Sequence, residues 1–316
     1  MSFFPSLLTI MITLFLLMIC GYVCRKKGII DTVASKRLSS LIISVGQPMM
    51  IIGALNNAEY TAENLDIAWK VTLIGFAIHT FLAILSYLIC KRKKIDDKMK
   101  IFEFSLVFAN CGFLGFPILD SILGDGIGSF MGAFYVISFH LFLWIWGIMI
   151  LARGREDIKM TPKKALLNYG TVPCAIGLAL YLLKPIFSMP EAVGKFFSYL
   201  GGLCTPISVL VTGALLATVP LLTMFKSGKL YLHSAIKLIA FPVVICLLAK
   251  LCGLDRTFIL LSTAMAGVPS AATITMLAEL YDIDPAYASQ TVGMTSVFST
   301  ATLPAVMLFA QWIATL

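Results

Sequence analysis

Long apolar runs alternate with short polar ones along the whole chain. A helix needs roughly 20 apolar residues to cross the hydrocarbon of a bilayer. Runs of that kind recur from Phe3 to Cys24, Ala34 to Leu55, Ile67 to Cys90, Ile101 to Leu123, Ile127 to Leu151, Lys164 to Leu183, Phe196 to Pro220, Leu230 to Leu251, Thr257 to Leu280 and Pro285 to Ile313. The pattern predicts an all-α polytopic membrane protein of ten transmembrane helices, with connections too short for a soluble domain. The first run carries no charge and no small-residue cleavage pattern, and it is too long for a signal-peptide core, so it reads as span 1.

Two of the runs are interrupted. Span 4 contains Asn110-Cys111-Gly112-Phe113-Leu114-Gly115-Phe116-Pro117, and span 9 contains Met265-Ala266-Gly267-Val268-Pro269-Ser270-Ala271-Ala272-Thr273. Glycine weakens a helix, and proline removes an N–H and clashes with the carbonyl four residues back. Both spans are therefore expected to split into half-helices. A lone Gly/Pro break is also an ordinary packing kink, but these two recur at matching places. Pro269 follows Pro117 by 152 residues, and Pro206 in span 7 follows Pro48 in span 2 by 158. The repeat predicts two five-helix halves, residues 1–155 and 156–316. An odd number of spans per half makes the second half inverted.

Broken backbone at membrane depth is tolerated only where protein buries it or water reaches it, and such breaks mark substrate sites in transporters. Half-helix N-termini, expected at Pro117 and Pro269, point peptide N–H groups and positive dipole ends at an anion. Gly112, Gly115 and Gly267 leave the backbone open there, and Asn110, Ser270 and Thr273 add neutral polar groups. Pro48 and Pro206 read as bends in a static scaffold, or else Gln47 and Thr205 line the substrate path.

Composition supports this picture, with 59% apolar and 13% charged residues. The net charge of +8 sits in short clusters at the ends of apolar runs, where lipid headgroups and topology account for it, so nucleic acid is excluded as a partner. Eighteen Lys and Arg fall in the first, third, fifth and seventh connections against five in the even ones. That bias places the odd connections in the cytoplasm and both termini outside. The eight cysteines form no CxxC pair and read as small buried hydrophobes. No metal or cofactor is expected.

Glu103, His79 and His140 are the candidate ion-coupling residues, because ionisable groups within spans are functional by default. Each also has a plainer reading. Glu103 follows Lys100 by three residues and suits an interface ion pair, and the histidines suit satisfied packing. Asp120, Asp125, Glu279, Asp282 and Asp284 fall near span ends and read as solvated. Gly124, Gly128 and Gly132 read as a close helix contact.

The interrupted motif of span 4, the Gly267-Val268-Pro269 break, and the closing run from Ala278 through Tyr281 and Ala288-Ser289 to Leu303-Pro304 resemble the auxin efflux carrier family of secondary transporters. The likeness covers the whole chain by span count and repeat. It implies a scaffold of spans 1, 2, 6 and 7, and a transport domain of spans 3–5 and 8–10 that moves as an elevator. It also implies organic anions as substrates, auxins in plants and dicarboxylates such as malate or malonate in bacterial members, with H+ or Na+ as candidate coupling ions. A homodimer in the plasma (inner) membrane is compatible with it. The connection Ala152 to Lys163 is short, as in bacterial-type permeases. Span 9 has no asparagine beside Pro269, where plant members pair one with that of span 4, which argues against auxin itself.

An anion channel and a sodium-coupled organic anion symporter of the bile-acid type are the alternatives. An intramembrane aspartyl protease, suggested by Asp282 and Asp284, fails because both carboxylates fall in one short connection and no GxGD follows. No HExxH or GxSxG occurs, so no enzyme is expected.

Overall fold

A computed structural model describes residues 3–91, 96–124, 126–158, 161, 163, 167–218, 220 and 224–316, and only the backbone of residues 3, 4, 6–8, 11, 113 and 117. Asp125 and Lys164, named above, lie outside the described residues, as do Arg92, Lys93, Lys94 and Lys159 among the basic residues of the odd connections.

The described chain is helical. In order its α-helices are α1 (Phe3–Lys26), α2 (Thr32–Leu41), α3 (Gln47–Asn57), α4 (Ala62–Cys90), α5 (Asp97–Val107), α6 (Phe116–Leu123), α7 (Ile127–Phe142), α8 (Ile148–Ala152), α9 (Thr171–Leu183), α10 (Glu191–Gly202), α11 (Cys204–Leu216), α12 (Gly228–Ala235), α13 (Phe241–Leu251), α14 (Arg256–Gly267), α15 (Thr273–Leu280) and α16 (Pro285–Thr315). Among the described residues six continuous stretches are long and apolar enough to cross a membrane: Thr32–Asn57, Ala62–Cys90, Ile127–Ala152, Glu191–Leu216, Gly228–Leu251 and Pro285–Thr315.

Several of these stretches are bent at places the residues dictate. A π-helical turn, Ile42–Gly46, joins α2 to α3 just ahead of Pro48. Another, Ile236–Ala240, precedes Pro242 at the start of α13. Widening the turn ahead of a proline relieves the clash of its ring with the preceding carbonyl. The second proline of this kind was not singled out from the sequence. Between α10 and α11 the chain bends at Leu203, three residues before Pro206.

Glycine sets the closest packing. A Cβ on Gly21 would run into the backbone of Leu210, and one on Gly213 into the backbone of Met18, so α1 and α11 meet backbone to backbone through a reciprocal pair. Likewise Gly128 abuts the backbone of Leu119 and Asp120, and Gly132 abuts the Phe116 ring, which makes the glycine repeat the contact of α7 with α6. Close approach of this kind drives helix association where the solvent is itself apolar. Replacing Gly213 with Val is expected to force α1 and α11 apart at a cost of about 1–3 kcal/mol. Thermal unfolding of the purified variant should show a lowered midpoint.

Candidate functional site

The break in the first interrupted run lies between α5 and the π-helical turn Cys111–Gly115, at residues 108–110. Phe108 is extended at φ −97°, ψ 111°, and Asn110 leaves helical geometry at φ −76°, ψ 57°. In the second run Val268 is extended at φ −65°, ψ 151°, and α15 begins only at Thr273. The two extended pieces pair antiparallel at Ala109 and Ser270. Asn110 N donates to Pro269 O at 2.7 Å, and Ala271 N donates to Phe108 O at 3.0 Å.

This pairing answers where the orphaned groups of the broken helices go. At the C-terminal end of α5, Phe104 O accepts from Phe108 N at 3.0 Å, Ser105 O from the Ser270 hydroxyl at 3.1 Å and Leu106 O from Lys237 Nζ at 3.3 Å. Asn110 O accepts from Leu114 N at 3.2 Å and Gly115 N at 3.1 Å, so the second half-helix starts at Cys111 with Asn110 as its cap. The expected N-termini at Pro117 and Pro269 therefore need correction. Pro117 lies in the first turn of α6, which continues the π-helical turn begun at Cys111, and Pro269 lies inside the extended piece. The partner strand supplies hydrogen bonds that let the chain unwind before the glycines, and a motif within one span does not reveal its partner.

Beside the crossing, a small cavity is lined by Gln47, Met50, Asn110, Gly112, His140 and Thr273, among others. The Asn110 side chain is 7% exposed. Gln47 Nε2 and His140 Nδ1 are 3.2 Å apart, joining α3 to α7 across the cavity. Gln47 Oε1 is buried without a partner, an acceptor left over for a donor in the cavity. A larger cavity of about 900 Å³ shares Met50 and Gly112 with the small one and extends past Thr205, Gly53 and Ala54 to Glu59, Glu63 and Asn64 at the surface. It opens at the end of the molecule that carries the acidic second connection.

The other expected site residues fall elsewhere. Ser270 is fully buried; its N–H donates to Thr295 Oγ1 at 3.3 Å and its hydroxyl to Ser105 O, so its polar groups serve the crossing itself. Gly115 is a packing position, where a Cβ would lie 2.8 Å from Met265 Sδ, and Gly267 packs on Leu303 and Pro242. His79 Nδ1 donates to Gly75 O at 2.7 Å and lies 3.2 Å from Ser138 Oγ, within a ring of Phe108, Tyr135, Phe139 and Phe142. Glu103 is 1% exposed and pairs with Arg153 at 2.5 Å, while Lys100 pairs with Asp97 at 3.1 Å, which corrects the expected Glu103–Lys100 pair. His140, read above as packing or coupling, lines the cavity. The signal was its placement in an apolar run; its partner Gln47, 93 residues away, was not legible as such.

At the opposite end of the molecule α15 is tied to α2, beside a second cavity of about 700 Å³ lined by Trp144, Asp157, Tyr169 and Tyr281 among others. The Glu279 carboxylate, 4% exposed on α15, accepts from the Ser35 and Ser39 hydroxyls of α2, each at 2.9 Å. Lys36 pairs with Asp282 at 2.9 Å alongside. Arg155 donates to Tyr281 O at 3.0 Å and to Asp157, holding the Asp157 carboxyl down to about 2. Glu279 was expected to be solvated; two scaffolding hydroxyls make its burial tolerable instead. Asp120 was expected to be solvated too, yet it accepts from Gly126 N at 3.1 Å and Ser129 N at 2.7 Å and caps α7.

Paired broken helices beside large cavities, in a chain with several membrane-crossing helices, are the arrangement of a membrane transporter. The chain belongs to the membrane transport protein family, the auxin efflux carrier family, whose pattern it matches over residues 6–307. It is similar to an uncharacterised transporter of Methanocaldococcus jannaschii, with 23% identity over 308 residues that cover 92% of this chain and 94% of that protein. It is also similar to an uncharacterised transporter of Methanothermobacter thermautotrophicus, with 22% identity over 306 residues covering 96% and 98% of the two chains.

Proposed function

We propose that the protein is a secondary carrier of small organic anions that works by alternating access, with the substrate held at the crossing of the two broken helices. The observation that carries this reading is the position of Asn110. It caps a half-helix whose positive dipole end lies at Cys111, where Cys111 N and Leu114 N already donate to Ala109 O and Asn110 O and the N–H of Gly112, a cavity-lining residue, is left for an anion. Its own amide lines the cavity beside Gln47, His140 and Thr273. A neutral set of donors with one dipole end suits a carboxylate that must bind and also leave.

In this reading the ten spans form two inverted five-helix repeats, and spans 3–5 and 8–10 move against spans 1, 2, 6 and 7. The large cavity is then the outward access path, with the Glu279 contacts as its inner closure. The membrane is the cell membrane, with both termini outside. A reporter cysteine at Asn64, in a background lacking the exposed Cys20 and Cys252, is expected to react only from outside, and one at Asp157 only from the cytoplasm. Labelling in intact cells and in inverted vesicles checks both.

The test of the substrate class is a thermal-stabilisation screen of purified protein against small carboxylates, since a ligand that binds only the folded form raises its melting temperature. Stabilisation by carboxylates and not by their uncharged amides is the expected result. The two crossing prolines are also expected to differ, because only Pro269 stands in non-helical backbone. Pro269→Ala, which lets α14 continue, should reduce uptake more than Pro117→Ala, measured per amount of folded protein.

A further inference from the structure

Lys237 lies in the π-helical turn between α12 and α13 and is fully buried. Its ammonium donates to Leu106 O at 3.3 Å, one of the last carbonyls of α5, four residues before Asn110. A helix C-terminus concentrates carbonyl oxygens and negative dipole charge, which is the place where carriers with broken helices coordinate their cations. Here a side chain reaches it.

The charge has no carboxylate to balance it. Among the described residues no Asp or Glu lies within ion-pairing distance of Lys237. On α5 the nearest carboxylate along the chain, Glu103, is occupied by Arg153, and Asp97 by Lys100. The helices packed against the Lys237 turn, α14 and α16, carry no acidic residue, and their titratable groups are Arg256 and Tyr287 at their first turns. On its own stretch the groups are Lys229, Tyr231, His233, Cys246 and Lys250, and Cys111 and His79 from the first half lie near enough to feel its charge. One turn before Lys237, both ring nitrogens of buried His233 lack partners, and so does Ser105 Oγ beside Leu106. An isolated buried cation is costly, and cations in a protein core are paired or neutralised.

We propose that Lys237 is a fixed cation that stands in the place of a coupling metal ion behind the crossing, and that the transported anion is its counter-charge. The second half rests on the carrier reading above. A positive charge four residues from the Asn110 cap is felt strongly across a low-dielectric core. It makes the anion-loaded core neutral, and it makes sodium superfluous because the carbonyl end is already taken.

The test uses the purified full-length protein and its Lys237→Arg, Lys237→Gln and Lys237→Ala variants, melted in sodium chloride and in N-methylglucamine chloride, with and without malonate. Sodium is expected to leave the wild type unchanged and to stabilise Lys237→Ala, whose vacated carbonyl end admits a metal ion. Malonate affinity should be retained in Lys237→Arg and fall roughly tenfold or more in Lys237→Gln, the signature of a lost charge and not of lost packing. Sodium-specific stabilisation of the wild type, or undiminished malonate affinity in Lys237→Gln, overturns the inference. If malonate stabilises no form, the carboxylate reading fails, and the sodium comparison still decides the first half. No sodium effect in either Lys237→Ala or Lys237→Gln then overturns it. Should Lys237→Ala fail to fold, Lys237→Gln serves for both comparisons.

Discussion

Replacing Asn110 with Ala should weaken binding of the transported anion by about 1–2 kcal/mol, roughly 5–30-fold in Kd, with little change in melting temperature of the unliganded protein. The asymmetry follows from where the groups of Asn110 go. Its backbone carries the architecture, through Asn110 N to Pro269 O and through the carbonyl that receives Leu114 N and Gly115 N. Alanine keeps all of these. Asn110 also lines the cavity, so under the proposed carrier reading removing its amide takes away a group that would meet the substrate. Isothermal titration of the purified variant with the stabilising carboxylate separates the two contributions. Unchanged affinity would remove Asn110 from the site, whereas a collapsed melting temperature would make it structural.

Removing both Ser35 and Ser39 hydroxyls as alanines should loosen the inner closure of the proposed carrier. Each donates to the buried Glu279 carboxylate at 2.9 Å. A hydrogen bond to a charged group contributes about 1.5–3 kcal/mol, so losing both leaves a carboxylate that gains by reaching water. The equilibrium between the two proposed access states should then move by about two to four orders of magnitude, provided the hydroxyls act only in the present state. A reporter cysteine at Ala54, in the wall of the open cavity, would show this as at least a tenfold drop in reactivity from that side. A lower melting temperature with unchanged reactivity would mean that Ser35 and Ser39 are packing contacts with no part in access.

What the sequence made legible is the pair of interrupted runs and the residue types around them. Gly, Pro and Asn in an apolar run have one physical meaning, that a helix there is weak. That argument placed the breaks within a few residues and found Asn110, Gly112, Thr273, Gln47 and Thr205, all of which line the cavities. It misplaced the half-helix starts, because the unwound residues 108–110 and 268–272 are chosen by hydrogen bonds between the two segments and not by the propensity of either. Ser270 shows the same limit: its hydroxyl reads as a ligand in one dimension and satisfies Ser105 O in three. Glu103 pairs with Arg153 and not with Lys100, and Glu279 is buried against two serines and not solvated, since Arg153 and the two serines are distant in sequence. Lys237 was visible as a lone charge near the start of span 8, and only its bond to Leu106 O gives it a place.

The central claim is that one site at the crossing is exposed to the two sides in turn. Counterflow tests it most directly, using proteoliposomes preloaded with unlabelled malonate, or with whichever carboxylate stabilises the protein best, and diluted into a trace of the labelled form. A carrier predicts saturable uptake with a transient overshoot that requires the internal load and is lost in Asn110→Ala. Uptake that rises linearly with concentration and is indifferent to the internal load would contradict alternating access and make the cavity the mouth of a channel.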